Sequence, residues 1–193
     1  MAFIAFGNDF AAQNQPQFRG ERKLSQAKAM VINMSKAEKT NVGRILDGKK
    51  IPYQLHSFGS TGAISGTDVA KVMGEDPAHV FKTLVTVGKS GQHYVFVIPV
   101  AEELDLKKAA TAVGEKNIEM IPQKELLPLT GYIHGGCSPI GMKKFFPTAF
   151  HKTASDFETI LFSGGKIGFQ VELTLTDLEK VIPFQLCDLT VDV

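Results

Sequence analysis

Three short segments carry side chains and backbone suited to handling a ligand. The first is Phe81-Lys82-Thr83-Leu84, where a lysine opens an apolar β-type run. In a central strand that ammonium would be partly desolvated and would bind an anion or a carbonyl oxygen. At a sheet edge its stem would lie over the sheet and leave the charge in water, and the residue pattern alone favours this second arrangement. The second segment runs Gly131-Tyr132-Ile133-His134-Gly135-Gly136-Cys137-Ser138-Pro139-Ile140-Gly141. Glycines let backbone approach a ligand closely and Pro139 stiffens the turn, so a binding loop and an ordinary surface loop both fit. The third, Phe162-Ser163-Gly164-Gly165-Lys166-Ile167-Gly168-Phe169-Gln170, has the look of a phosphate cradle. It lacks the spacing G-x-x-x-x-G-K-[ST], so nucleotide hydrolysis is not supported and a hairpin turn is the plainer reading.

Single residues add little. His134 and His151 are general-base candidates by type, but spacing places no serine or carboxylate beside either, and both read as surface histidines. Nothing near Cys137 would lower its thiol pKa, so it reads as loop packing rather than a nucleophile. Cys187, between Leu186 and Asp188, reads as structural. Two cysteines make no disulfide framework, and the five histidines lack metal-ligand spacing, so neither zinc nor any other cofactor is expected. The expected compartment is the reducing cytoplasm.

These segments need a scaffold, and the pattern supplies one. Val42, Ile45 and Leu46 recur at helical spacing within Lys36–Gly48, with Thr40 as a cap. Alternation predicts a strand over Ile51–Phe58. SGTDVAKVMG predicts a helix capped at Thr67. KTLVTV and YVFVIPV, separated by Gly88-Lys89-Ser90-Gly91, predict a hairpin. Further on come a helix over Asp105–Val113, a strand at Glu119–Ile121 and a short helix over Pro122–Leu127. Strands are then predicted at Thr148–Phe150, Thr159–Ser163 and FQVELT, followed by a helix over Leu175–Val181 and a last strand within Phe184–Leu189. The expected fold is α/β in the mixed α+β sense: one domain with a mixed central sheet, or a partly closed barrel, flanked by helices.

Composition narrows the function classes. The chain is long enough for one well-cored domain and too short for two of ordinary size. Apolar residues at 44% and charged residues at 21% are a globular balance. No run approaches the roughly 18 apolar residues that a membrane span needs, so no membrane partner is expected. A net charge of +1 argues against wrapping duplex DNA, so any nucleic-acid contact must be local. Residues 1–33 have an apolar start, then Asn, Gln, Pro and mixed charge without period, and read as a disordered leader or extension before a domain at 34–193. The alternative is a packed helix over 22–32.

Four pieces in register, KTNVGRILD, VFKTLV, GYIHGGCSPIGMKK and FSGGKIGFQVEL, resemble the YbaK/EbsC family of aminoacyl-tRNA editing domains, from about Ser35 to Leu189. The resemblance implies that family's editing-domain fold and a cleft for the 3′-terminal adenosine and its amino acid. It implies an essential lysine at Lys82, with Thr83 beside it. Gly135 and Gly136 correspond to the backbone that holds the aminoacyl group, Ser163 and Gln170 to late polar contacts, and Tyr53 and Phe58 to an aromatic wall. The activity implied is trans-editing deacylation that removes cysteine from mischarged tRNA(Pro), and from Cys-tRNA(Cys), with the substrate thiol attacking its own ester. Mischarged tRNA is then the expected partner and prolyl-tRNA synthetase the protein that delivers it. Two alternatives stand beside this: editing of another small amino acid such as alanine by bound water, and a non-catalytic module that binds nucleotides or tRNA ends.

Overall fold

Backbone geometry follows the local signals through most of the chain. The computed structural model describes residues 39–58 and 66–192. The expected leader over 1–33 and the alternative helix over 22–32 lie outside the described residues. Helix α1 (Asn41–Gly48) starts where the Thr40 hydroxyl accepts the Gly43 N–H at 3.1 Å, a cap that satisfies a donor no helical carbonyl can reach. It buries Val42 and Leu46. Strand β1 (Gln54–Ser57) is shorter than the alternation predicts. Helix α2 (Gly66–Met73) begins at Gly66, which puts Thr67 inside the first turn rather than at the cap.

Strands β2 (Phe81–Gly88) and β3 (His93–Pro99) form the expected antiparallel hairpin, from Phe81 opposite Pro99 to Val87 opposite His93. Asp105 caps α3 (Leu106–Val113) by accepting from the N–H groups of Lys107 and Lys108, and Gly114 ends it in the left-handed region at φ 73°. Then come β4 (Ile118–Met120), α4 (Gln123–Thr130), β5 (Thr148–His151), β6 (Ile160–Ser163), β7 (Phe169–Leu173), α5 (Leu175–Glu179) and β8 (Gln185–Cys187). A 3₁₀ turn over Lys152–Asp156 joins β5 to β6 and has no counterpart in the sequence pattern.

The α+β class is as expected and the larger sheet is mixed, but the strands divide into two sheets and no barrel closes. The larger sheet has the order β4-β2-β3-β5-β8 and the smaller β1-β7-β6. In the larger sheet β5 lies parallel to both β3 and β8, while the hairpin and the β2–β4 pair are antiparallel. Among the described residues, backbone pairing joins the two sheets through one parallel bridge, Val80 to Leu161. Barrel closure would require β2 and β6 to pair along their length; instead their hydrogen bonding stops there.

Side chains fill the angle between the sheets. Val85, Val95 and Val97 of the larger sheet share one cluster with Phe162, Val171 and Leu173 of the smaller one, roofed by Val42 and Leu46 of α1. Phe150 on β5 meets Phe162 on β6 edge to face, with centroids 6.3 Å apart. The opposite face of the larger sheet is closed by α3, where Ala109 and Ala110 pack on Phe96 and Ile98.

Phe162 therefore ties the two sheets together. Phe162→Ala should remove about 3–5 kcal/mol of stability, read as a lower urea midpoint with unchanged slope. A shift under about 1 kcal/mol would mean that the sheets hold their angle without this ring.

Candidate active site

The site grows out of an interrupted strand edge. The Val100 N–H donates to the Val80 carbonyl at 2.8 Å, so by antiparallel alternation Lys82, Leu84 and Thr86 turn their backbone groups toward β3. Phe81, Thr83 and Val85 turn theirs the other way. There, β4 pairs only as far back as Thr86, with the Ile121 N–H reaching the Val85 carbonyl at 3.2 Å, and β6 reaches only His79, through the Leu161 N–H at 3.2 Å. Between these two points the β2 edge faces a gap. Pro99 is tolerated opposite Phe81 because its position faces away from β2 and lies beyond the last residue that β5 pairs.

The gap forms one wall of a cavity of about 630 Å³ between the two sheets. Lys82 and Thr83 line it from the strand edge, Phe58 and Gly66 from one side, and Ser163 and Gln170 from the smaller sheet. Among its described lining residues there is no carboxylate. Two polar atoms in its wall, Thr83 Oγ1 and Gln170 Oε1, are buried without a hydrogen-bond partner among the described residues. An unmet buried polar atom costs about 1–3 kcal/mol, and a ligand that supplies the missing partners recovers it.

Lys82 is half-buried and its Nζ donates to the Val100 carbonyl at 3.1 Å. Burial lowers its pKa below the ordinary lysine value, while the charges of Glu103 and Glu102 act in the opposite direction. The lysine is therefore neither a solvated edge residue nor a fully desolvated one. Gly66 secures its acceptor: a Cβ there would lie 2.5 Å from Val100 Cγ1, so only glycine lets α2 pack against the residue that holds the ammonium.

The glycine loop is held by Tyr132 and docks on the turn of the third segment. The buried Tyr132 hydroxyl donates to the Ile140 carbonyl at 2.7 Å and accepts from Asn41 Nδ2 at 3.1 Å, so α1 and both ends of the loop meet at one phenol. Gly135 adopts φ 79° and lines the cavity. Gly136 is pressed so closely on the turn that an added Cβ would lie 3.3 Å from the Ile167 nitrogen. Ser163 steadies that turn by accepting the Gly165 N–H at 3.3 Å.

Of the residues singled out from sequence, Phe58, Lys82, Thr83, Gly135, Ser163 and Gln170 share this cavity. Gly136 sits behind the lining as the contact between loop and turn. Tyr53 is not in the lining: its hydroxyl bonds the Gly43 carbonyl and Asp47 Oδ1, and burial together with the Asp47 charge raises its pKa to about 12. It faces α1 because β1 starts only at Gln54. Cys137 lines the cavity with its thiol pushed up to about 12 by burial, a neutral group. His134 is exposed and lines the mouth.

His151 is not the surface histidine its sequence context suggests. It is buried, its Nδ1 accepts the Leu189 N–H at 3.0 Å, and burial lowers its pKa. Pattern reading also missed Gly66, Val100, Met120 and Gln123, and gave no role to Ile167 and Phe169 within the third segment. A glycine directly before a helix was a usable hint for Gly66; the others look like ordinary core or surface positions.

Comparison with known proteins agrees with this arrangement. The family described as the aminoacyl-tRNA editing domain matches residues 63–181. A protein of Enterococcus faecalis (strain ATCC 700802 / V583), EbsC, named as a Cys-tRNA(Pro)/Cys-tRNA(Cys) deacylase, is 44% identical over 154 residues, which is 79% of this chain and 94% of that protein. The crystal structure of a trans-editing enzyme for prolyl-tRNA synthetase has a TM-score of 0.70 at 23% identity, over 78% of this chain and 95% of that one. A scaffold protein used for epitope backbone grafting also scores 0.70, at 22% identity, over 79% and 96% of the two chains. At such identity the two structures speak for the fold alone.

Tyr132→Phe leaves the Ile140 carbonyl and the Asn41 amide without this shared partner. It should cost about 1–3 kcal/mol in urea unfolding; no measurable loss would show that the loop does not depend on the phenol.

Proposed function

The chain belongs to the aminoacyl-tRNA editing-domain family, and from that membership we propose that it is a trans-acting deacylase removing cysteine from mischarged tRNA(Pro), and from Cys-tRNA(Cys), in the cytoplasm. The observation that carries this reading is the convergence of Lys82, Thr83, Gly135, Ser163 and Gln170 on one cavity whose described lining residues include no carboxylate. A volume of about 630 Å³ falls within the range of small-molecule sites and suits a terminal adenosine with a small amino acid. The similar Enterococcus faecalis protein is named for this reaction.

An aminoacyl ester is already activated, so positioning and charge stabilisation do most of the work. The Phe58 ring forms an apolar wall, and the backbone at Gly135 holds the aminoacyl group while Gly136 seats the loop on the turn. Thr83 Oγ1 and Gln170 Oε1 find in the substrate the partners they lack, and Ser163 adds a polar contact from the turn. The Lys82 ammonium faces the developing oxyanion. The substrate's own sulfur is the nucleophile: a C–S bond forms at the carbonyl carbon, the C–O bond to the ribose breaks, and the thiol proton passes to the ribose oxygen. Cysteine leaves as a thiolactone that water opens, with no cofactor required. This chemistry filters substrates where a pocket cannot, since one methylene is worth only about 1–3 kcal/mol in binding. Prolyl-tRNA synthetase is the partner suited to deliver the tRNA.

Lys82→Ala should lower kcat on cysteinyl-tRNA(Pro) by about 10²–10³-fold, the usual effect of removing one oxyanion donor, with the fold unchanged by circular dichroism. Equal cleavage of alanyl-tRNA by the wild type would rule out the thiol route. The active form of Lys82 is the ammonium, so kcat/KM should fall as pH rises through its lowered pKa. Glu103→Gln removes a charge that favours the proton and should move that alkaline limb to lower pH. A limb that stays put would sever Lys82 from the chemistry. Cys137→Ser should keep its activity, because a thiol with a pKa of about 12 is a poor nucleophile at neutral pH.

A further inference from the structure

The cavity mouth has a lip that the reaction itself does not use. Ile167 lines the cavity yet is 50% exposed, and the exposed His134 borders the same opening. The loop and the turn that carry them lie close together, since a Cβ added at Gly136 would come 3.3 Å from the Ile167 nitrogen. Next to Ile167, the Lys166 ammonium lies 5.1 Å from the ring centroid of Phe169, another lining residue, and makes no ion pair among the described residues. An apolar ledge and an imidazole thus border the entrance, and the residue next to the ledge is a lysine with no ion pair among the described residues.

Charge is distributed unevenly over the molecule. A second cavity, of about 410 Å³, is lined by Glu102, Asp156, Asp188 and Asp192 with Lys152 among them; Asp188 and Asp192 are paired with Lys152 and Lys108, and the lining still carries more acidic than basic groups. The first cavity has Lys82 inside, Lys166 at its lip and no carboxylate in its described lining. A near-neutral protein can therefore still orient an RNA end toward this mouth.

We infer that the lip made by His134, Lys166 and Ile167 is the docking platform for the penultimate nucleotide of a single-stranded RNA 3′ end. This rests on the proposed placement of the terminal aminoacyl-adenosine in the cavity, since the preceding nucleotide must then leave through the mouth. Its base lies on Ile167 and His134, and the phosphate joining it to the terminal adenosine pairs with Lys166. Stacking contacts of this kind are tolerant of base identity, and a lysine reads a phosphate as a point charge. The platform holds any tRNA by its common end and leaves the choice of tRNA to other contacts.

The test compares cysteinyl-tRNA with 2′(3′)-O-cysteinyl-adenosine, which lacks the penultimate nucleotide and its phosphate. Lys166→Ala should lower kcat/KM on the tRNA by about 3–10-fold and make its salt dependence shallower by about 0.7 in log–log slope. The same variant should cleave the small ester as the wild type does, and Lys166→Arg should restore the tRNA reaction. Ile167→Ser should lose more on the tRNA than on the small ester. Equal losses on both substrates, or no loss on the tRNA, overturn the platform while leaving the deacylase reading intact. A wild-type protein inert on both substrates removes the deacylase reading, and the platform with it.

Discussion

Everything at the site depends on where the hydrogen bonding of β2 changes hands. A strand in the middle of a sheet has both edges satisfied. Here β4 covers the far edge only back to Thr86 and β6 approaches only at Val80, so the stretch between keeps an open edge inside the protein. Open edges are normally blunted or covered, because unpaired N–H and C=O groups attract other strands. This one is walled by α2, the glycine loop and the smaller sheet, and the result is a cavity with a backbone edge on one side. The arrangement explains why consecutive residues, Lys82 and Thr83, both line it. Residues that alternate across a sheet surface can both border a gap at its edge.

That edge would be useless if its surroundings could shift, and two close approaches prevent it. Gly66 brings the start of α2 against Val100, whose carbonyl holds the Lys82 ammonium. Gly136 brings the loop against the turn that carries Ser163 and Ile167. A Cβ on Gly66 would strike Val100, and one on Gly136 would sit tightly against the Ile167 backbone. Tyr132 adds direction, with one hydroxyl serving α1 and the far end of the loop. Such preorganisation is the condition under which a fixed charge or dipole stabilises a ligand without reorganising around it. The environment of Lys82 is tuned in the same spirit: burial disfavours its charge, and Glu103 and Glu102 favour it.

Much of the fold was readable from local pattern. The Thr40 cap and the β2–β3 hairpin depend on neighbours in sequence, and they lie where capping and turn chemistry put them. The readings that failed depend on partners far along the chain. His151 has the sequence surroundings of a surface residue and is buried because β8 comes alongside β5 and brings the Leu189 N–H to its ring. Tyr53 lies one residue before a strand that begins late, and so turns toward α1 instead of the cavity.

By itself the sequence determined the mixed α+β class, most element positions, and three segments dense in glycine, lysine and small polar residues. It also determined the family, because four motifs kept their order and spacing. Only the tertiary structure decided that the strands divide into two sheets, that Lys82 borders a gap and not solvent, and that the loop closes on the turn. Local pattern encodes which way a side chain faces along its own element. Where a pairing stops depends on the competing partners of every strand, and that balance is settled only when the whole chain has packed.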